Sequence, residues 1–413
     1  MRWDHCTITP AIVRALTRQA IARVLPWKGY GRLATADKIL DVLAFAAVLA
    51  SSLSAVVKRF PFGFSHETAR NAVDANLPEL PQLTQGLLDA LYSFGSRRNL
   101  RRRLWVLAID EHRNPFYGDR GTPGVSGGQK KHGSKYAFAY ATAVLVHKRH
   151  RLTVGLLPLS GGEKPHQIVE TLLAQISKRG LKLRGVVLDS GFDSGDVLLL
   201  LQERGLSYTV PLRKKGKGKN KRNAAWDLPV GSVTAVEWKT DKGNRPVSTQ
   251  AVVMRRPKEK EKKVYAFGGW SEQQARRQEQ RAALARRWYR KRFGIETSYR
   301  QMRECKAKTT KKDVRYRLLL VGLALILRQA WAYLTTQLAH AQGLKPSAWV
   351  AALPLQRMLD WLADELKAIY KEIKEIRLPQ SLTPLPDLGV RPRISRRFPL
   401  DSLGRAICHN NDL

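Results

Sequence analysis

The chain is poor in acidic residues and in cysteine, and it has no long hydrophobic run. It contains 34 Asp and Glu against 73 Lys and Arg among 413 residues. The three cysteines, Cys6, Cys305 and Cys408, are odd in number and far apart, so they indicate neither a disulfide framework nor a zinc site. The longest apolar runs, Val42–Ala50 and Leu318–Leu327, are too short to cross a bilayer.

The shortage of acidic residues leaves a formal net charge of +39. Positive charge on this scale repels itself unless a polyanion is bound, and nucleic acid is the default partner. Asp4 and Arg14 interrupt any apolar stretch at the N-terminus, so no secretory signal is expected. The composition therefore predicts a cytoplasmic, nucleoid-associated protein that binds nucleic acid and no membrane.

The middle of the chain alternates predicted strands and helices. The apolar runs Leu104–Asp110 and Leu183–Asp189 predict two buried strands, each ending in a carboxylate. Between them, Tyr136–Val146 and Leu152–Leu159 predict a hairpin, and residues 164–179 have helical periodicity. This order predicts an α/β fold with a mixed sheet, in which the two carboxylate-ending strands lie side by side in parallel.

Asp110 and Asp189 stand where these apolar runs stop, the usual place for a site in an open α/β sheet. Side by side, the two carboxylates would be close enough to share hard divalent cations, which prefer oxygen ligands. The alternative is that one or both only cap loops, and for either residue taken singly that alternative is the better one. The pair, together with a third carboxylate in the same basic chain, favours the functional interpretation.

The flanking segments have different patterns. Residues 1–100 predict short helices, with Ser65 able to cap one of them, while Ile39–Leu53 predicts a single apolar helix. Residues past 212 predict a β-rich insertion. The predicted regions are 1–100, helical and DNA-binding; 101–212, the first part of the core; 213–270, the insertion; 271–335, the second part of the core; and 336–413, a helical region with a basic tail.

Glu296 is one acidic residue inside a dense basic field. From Arg276 to Arg317 there are 16 Arg or Lys and only 4 Asp or Glu. Helical spacing places five side chains on one face. These are Tyr289, Arg292, Glu296, Arg300 and Arg303. A carboxylate that binds metal, among cations that grip phosphates, is what metal-assisted phosphodiester chemistry needs. An exposed helix with ordinary Arg–Glu pairs four residues apart is the alternative.

Together these features resemble the DDE transposases of prokaryotic insertion sequences, which have an RNase H-like core. In the branch with a β-rich insertion the signature is Y-(2)-R-(3)-E-(6)-K, and Tyr289, Arg292 and Glu296 match its spacing. Arg303 stands where the family has Lys, which keeps the charge but changes the geometry. The resemblance covers roughly residues 100–335.

The resemblance implies a catalytic, metal-binding triad of Asp110, Asp189 and Glu296 that uses two Mg²⁺ or Mn²⁺ ions. It also implies double-stranded DNA as the partner, contacted by Tyr289, Arg292, Arg300, Arg303 and Trp270. Trp270 could stack on a flipped base, as an aromatic does in relatives that form DNA hairpins, or could be a core residue that closes the insertion.

The expected function is binding the ends of a mobile element, cutting them and joining the freed 3′-hydroxyl to target DNA. The alternatives are a non-catalytic DNA-binding protein derived from such an enzyme and an RNase H-like nuclease. Coupled joining needs both ends held together, so a homodimer on DNA is expected. A heptad pattern from Leu355 to Ile376 could be the dimer contact or could pack within the chain.

Overall fold

The structure is a computed structural model of the chain. It describes residues 8–95, 97–131, 133–147, 150–214, 223–241, 243–255, 261–269, 278–341, 343, 350 and 352–371. Trp270 and the predicted basic tail lie outside these residues. Described residues up to 371 belong to one compact unit, and the domain boundaries inside that stretch stay predictions.

Nine strands among the described residues form a single mixed sheet. The strands are β1 (Leu104–Phe116), β2 (Ser126–Lys131), β3 (Ser134–His147), β4 (His150–Leu159), β5 (Lys182–Val187), β6 (Ser207–Pro211), β7 (Val233–Lys239), β8 (Pro246–Met254) and β9 (Lys263–Gly268). Their order is β2-β3-β1-β5-β6-β9-β8-β7, with β4 also paired to β3. The predicted α/β fold class is confirmed.

The predicted pairing at the centre of the sheet is also confirmed. Strand β1 runs parallel to β5, with Ala108 beside Val187, and antiparallel to β3. The hairpin of β3 and β4 forms as the sequence indicates. The prediction that β1 ends at Asp110 is wrong, because the strand continues to Phe116 along β3. Its second half is polar, so the apolar run alone marked its end too early.

The predicted insertion forms three antiparallel strands that extend the central sheet. Strand β9 pairs with β6, β8 with β9, and β7 with β8. Asp193, just before helix residues 195–203, accepts hydrogen bonds from the backbone N–H of Arg213 and the indole of Trp238. This buried carboxylate therefore links the core to the insertion.

Helices cover both faces of the sheet. They are α1 (Pro10–Ala22), α2 (Ala36–Val48), α3 (Leu53–Arg59), α4 (His66–Asn76), α5 (Leu80–Tyr92), α6 (Arg97–Arg102), α7 (Pro165–Lys178), α8 (Gly195–Glu203), α9 (Gln278–Glu304), α10 (Val314–Ala341) and α11 (Leu355–Tyr370). One apolar core joins α1–α5, α10 and α11 to one sheet face, and a second core packs α7 and α8 on the other face. The helical N-terminal and C-terminal regions are thus confirmed.

The helix predicted over Ile39–Leu53 is in fact two helices. Helix α2 ends at Val48, Ala50 has a positive φ of 45°, and the Ser52 hydroxyl caps α3 by accepting from the backbone N–H of Ala55. The apolar run continues across the break because α2, buried from Ile39 to Val48, and the buried side of α3 enter the same core. The predicted cap at Ser65 is confirmed, since its hydroxyl accepts from the N–H of Thr68.

Helix α10 is long and apolar enough over Val314–Ala339 to span a membrane, although the run Leu318–Leu327 alone is too short. However, 89% of its most apolar window is buried inside the protein, as in the core helix of a globular domain. Every residue of the apolar run Leu318–Leu327 is buried. Arg328 is buried with it and donates to the side-chain oxygen of Gln301 and the carbonyl of Arg151.

Four heptad residues of α11 pack within the chain, whereas the fifth, Ile369, is 45% exposed. Leu355, Leu359, Leu362 and Leu366 are each at most 4% exposed, inside the core shared with α1 and α2. The suggestion that this seam is a dimer contact is therefore wrong for these four residues. The last heptad positions, from 373 onward, lie outside the described residues.

Candidate active site

Asp110 lies on β1 just beyond the point where the parallel pairing with β5 stops. The last parallel pair is Ala108 with Val187, whereas Asp110 is still paired with Thr142 of β3. The residue is 8% exposed, and its Oδ1 accepts from the backbone N–H of Glu111 at 2.9 Å. Its other carboxylate oxygen, Oδ2, accepts a hydrogen bond from Arg292.

Asp189 follows β5 by two residues and begins a short 3₁₀ turn, Ser190–Phe192. Its side chain is 38% exposed, and its Oδ1 lies 3.7 Å from the Nη1 of Arg292. Asp110 Oδ2 lies 3.3 Å from the same Nη1. The predicted adjacency of the two strand-end carboxylates therefore holds, and one cation bridges them.

Helix α9 supplies the third carboxylate and the bridging cation. It crosses the sheet face that carries Asp110, touching β1, β3, β5 and the insertion strands. Arg292 is 7% exposed, and its Nη2 donates to Oε1 of Glu296, one helical turn further on. The Arg292 guanidinium consequently contacts Asp110, Asp189 and Glu296, from three separate elements. The structure brings all three predicted triad residues together.

The predicted DNA-facing stripe of α9 divides into a buried part and an exposed part. Tyr289 is 7% exposed, packs on the ring of Tyr265 at 4.6 Å, and accepts a hydrogen bond from Nε of Arg292 at 3.2 Å. Arg300 and Arg303 are exposed. Tyr289 and Arg292 therefore point toward the sheet, whereas Arg300 and Arg303 are exposed, and DNA contact by any of the four stays a prediction.

Tyr299 is a site residue that the sequence reasoning missed. Its hydroxyl donates to the backbone carbonyl of Asp110 at 2.9 Å and lies 2.7 Å from Oγ1 of Thr142. The ring of His112, two residues along β1, packs against it at 4.7 Å. Tyr299 is seven residues after Arg292, so the helical spacing that grouped the other signature residues could have found it. It anchors β1 to α9 directly at Asp110.

A polar column continues along β1 beneath the end of α9. Asn114, on the same strand face as Asp110 and His112, accepts from Nζ of Lys306 at 2.8 Å. His112 Nε2 lies 2.9 Å from the same Asn114 oxygen. Burial, together with the smaller effects of the nearby Arg303 and Arg317, lowers the pKa of Lys306 to about 8. The partly buried ammonium group of Lys306 thus lies against β1, the strand that carries Asp110.

The positive charge of Arg292 does not compensate the three triad carboxylates equally. Burial raises the pKa of Asp110 to about 7 against the opposing effect of Arg292, and the Asp189 charge adds to the rise. Burial alone would lower the pKa of Arg292, but Tyr289 and the three carboxylates raise it above its usual value. Both pKa values are raised, which disfavours the charged form of Asp110 and favours the charged form of Arg292. One guanidinium divided among three carboxylates explains both, since Asp110 is the most buried carboxylate and receives only part of the compensation.

Three carboxylates are the donors that hard divalent cations prefer, so the chemistry of the set fits a Mg²⁺ or Mn²⁺ site. Their arrangement is centred on Arg292 instead. Within the described part of the chain, no three His, Cys, Asp or Glu side chains are already placed to hold one metal ion. The three carboxylates are thus suitable metal ligands, but in this structure they surround the guanidinium of Arg292.

Comparison with known proteins identifies the family of the chain. The sequence profile described as "Transposase DDE domain" matches residues 101–328, more than half of the chain. A search among curated proteins finds none that matches.

Among solved structures, the fold is similar to that of a piggyBac transposase in a cryo-EM synaptic complex with hairpin DNA. The TM-score is 0.55 at 13% identity, over 88% of this chain and 81% of that one. An identity this low shows a shared fold only. The family match spans β1 with Asp110, the turn after β5 with Asp189, and the part of α9 that carries Glu296. The chain belongs to the DDE transposase family.

Proposed function

We propose that this chain is an active transposase, which cuts the ends of a mobile DNA element and joins the freed 3′-hydroxyl to target DNA. The observation that carries the proposal is the convergence of Asp110, Asp189 and Glu296 on a single guanidinium. Three anions from three elements are costly to hold together unless a cation compensates them. A protein that only bound DNA would have no need of such a group.

The three carboxylates would hold the divalent cations, which would supply Lewis-acid stabilisation of the phosphate oxygens and activation of the attacking hydroxyl. The protein's own contribution is positional. Tyr299 fixes the backbone of Asp110 through its carbonyl, and α9 sets Glu296 across from it. The exposed Arg300 and Arg303, on the same helix, would grip backbone phosphates beside the cut.

The DNA partner is supported by the net charge of +39 and by the similar fold of a transposase solved with hairpin DNA. A homodimer on DNA, an origin in a prokaryotic insertion sequence and a nucleoid-associated location belong to the same proposal. The signature spacing at Tyr289, Arg292 and Glu296 supports the insertion-sequence origin. Trp270, proposed to stack on DNA, lies outside the described residues.

Glu296→Gln tests the proposal. The change keeps the size and most hydrogen bonding of the side chain but removes the charge that a cation needs. Cleavage and joining of a linear duplex made from the DNA flanking the coding region should fall by orders of magnitude in Mg²⁺. Binding of the same duplex, measured by gel shift, should stay near normal because the basic surface is unchanged.

Glu304→Gln is the matched control, since Glu304 is an exposed carboxylate near the end of the same helix, outside the triad. It should cleave like the wild type. Wild-type cleavage by Glu296→Gln would contradict the triad, and the exposed-helix alternative would stand. Cleavage without preference for the flanking sequences would instead favour the RNase H-like nuclease.

A further inference from the structure

The guanidinium of Arg292 occupies the point toward which the three triad carboxylates converge. Its Nη1 lies 3.3 Å from Asp110 Oδ2 and 3.7 Å from Asp189 Oδ1, while Nη2 donates to Glu296. The fourth polar partner is the uncharged hydroxyl of Tyr289, bonded to Nε at 3.2 Å. With 9% of its side chain exposed, Arg292 is held on one side by a neutral anchor and on the other by three anions.

The same carboxylate oxygens cannot serve this guanidinium and a divalent cation in full. A metal ion needs their lone pairs at direct coordination distance, and its charge would repel a guanidinium only a few ångströms away. The contacts that order the triad are therefore contacts that a metal ion has to replace. Arg292 has one strong alternative partner, because its planar fork also matches a phosphate group with two parallel hydrogen bonds.

We propose that Arg292 is an internal cation that closes the triad in the DNA-free protein and transfers to a DNA phosphate when the substrate arrives. This inference rests on the proposed function. Metal loading is then coupled to DNA binding, since the phosphate removes the competitor from the carboxylates. Coupling of this kind is reciprocal, so metal ions also favour the state in which Arg292 contacts DNA.

The coupling explains a placement that a simple DNA-binding role does not. Arg300 and Arg303 are exposed and available to DNA on the same helix, whereas Arg292 is 7% exposed and faces the sheet. A residue that served only to grip DNA would not be ordered by three carboxylates beforehand. The closed arrangement keeps Asp110, Asp189 and Glu296 assembled without a metal ion, and it makes Arg292 a positioning residue as well as a competitor.

Binding of Mn²⁺, measured by the loss of the free-ion paramagnetic resonance signal, tests the inference on the full chain without DNA. Arg292→Gln should bind Mn²⁺ about tenfold or more tightly than the wild type, within the usual range of coupling between two sites. Arg292→Lys keeps a charge and should stay near the wild type. Arg290→Gln, at an exposed position two residues earlier, is the matched control and should change nothing.

A second measurement repeats the Mn²⁺ titration with a short DNA duplex of random sequence added. The Glu296→Gln protein with the same duplex is the blank, because it reports the Mn²⁺ that binds to the DNA or elsewhere on the protein. The duplex should strengthen Mn²⁺ binding by the wild type and give no further gain in Arg292→Gln. Tyr289→Phe removes the neutral anchor without changing charge, and it should raise Mn²⁺ affinity by less than Arg292→Gln does. If Arg292→Gln does not fold, the Mn²⁺ affinity of Tyr289→Phe still tests the inference.

The possible results separate the two proposals. If Arg292→Gln and Tyr289→Phe bind Mn²⁺ no more tightly than the wild type, and wild-type binding still depends on Glu296, the inference is overturned. The transposase proposal then still stands. If Glu296→Gln leaves Mn²⁺ binding unchanged in every protein, with or without DNA, the proposed function and the inference are both contradicted.

Discussion

Lys306, just after the end of α9, carries its ammonium group into a largely buried position against Asn114. Burial lowers its pKa from 10.5 to about 8, with further contributions from Arg303 and Arg317. In the unfolded chain the proton is kept to a higher pH than in the folded protein. Stability therefore rises with pH between those two values, because the unfolded state binds more protons there.

The expected result is a pH-dependent difference between the wild type and Lys306→Met. Relative to the variant, the wild type should gain stability as the pH rises from about 8 toward 10.5, with ~1.4 kcal/mol corresponding to one pKa unit. Urea unfolding over this window measures the difference. Parallel stability curves for the two proteins would show that the ammonium group is not desolvated.

At the scale of single residues, the sequence predicted several side chains of the site but not which of them are buried. Spacing identified Tyr289, Arg292 and Glu296 as one group, and in the structure Arg292 contacts both of the others. Spacing could not say which members are buried, because they share one helix face and their burial depends on what lies beneath each turn. The central place of Arg292 depends on β1 and β5 lying beneath it, which is information held by the tertiary fold.

At the scale of elements, α9 is positioned against the sheet by one close approach. A Cβ added at Gly185 of β5 would lie 2.4 Å from the ring of Trp288 on α9 and 2.2 Å from the carbonyl oxygen of Ser207. Trp288 is one turn before Arg292. Because only glycine leaves room for this packing, Gly185 sets the depth at which the helix lies over β5.

Gly185→Ala should therefore destabilise the protein by about 1–3 kcal/mol, the usual cost of overpacking, and reduce cleavage by shifting Arg292 and Glu296. Gly162→Ala is the matched control, since a Cβ there meets nothing within 4 Å. Urea denaturation followed by tryptophan fluorescence measures the change. Equal midpoints for the two variants would mean that the helix adjusts without cost.

Helix α11 provides a second test between elements. Leu362 is 1% exposed in the core shared with α1 and α2, whereas Ile369 on the same helix is 45% exposed. Leu362→Asp should cost at least the ~2–5 kcal/mol of a buried Leu→Ala change, and Ile369→Asp should cost little. Thermal unfolding and light scattering distinguish the outcomes. A stable Leu362→Asp protein that only loses self-association would restore the dimer interpretation.

The strands and helices were predictable where burial is one-sided or complete. Apolar runs located β1 and β5, and helical periodicity located α7 and the buried α10. The polar half of β1, from Glu111 to Phe116, was missed because its pairing with β3 is satisfied by the backbone and leaves no apolar pattern. The attachment of β9 to β6 was missed because pairing partners are not written in local sequence.

At the scale of the whole molecule, the net charge of +39 controls how the protein meets DNA. Each phosphate contact by Lys or Arg releases condensed counterions, so affinity should fall linearly with salt concentration on logarithmic axes. A protein that contacts roughly 6–10 phosphates loses about 10³–10⁵ in affinity between roughly 50 and 200 mM salt. Fluorescence anisotropy of a labelled duplex measures the slope, and a nearly flat dependence would refute the electrostatic account.

The apolar core that joins α1–α5 to α10 and α11 determines how the chain can fold during synthesis. Its N-terminal half leaves the ribosome early, but the helices that cover it begin only at Val314 and Leu355. Until they emerge, residues such as Phe45 and Leu87 have no complete core to enter. Glu296 too is placed only after the insertion strands that precede it. A ribosome-bound fragment therefore carries much of the basic charge without the triad, and the proposed DNA cutting would begin only after α9 has emerged.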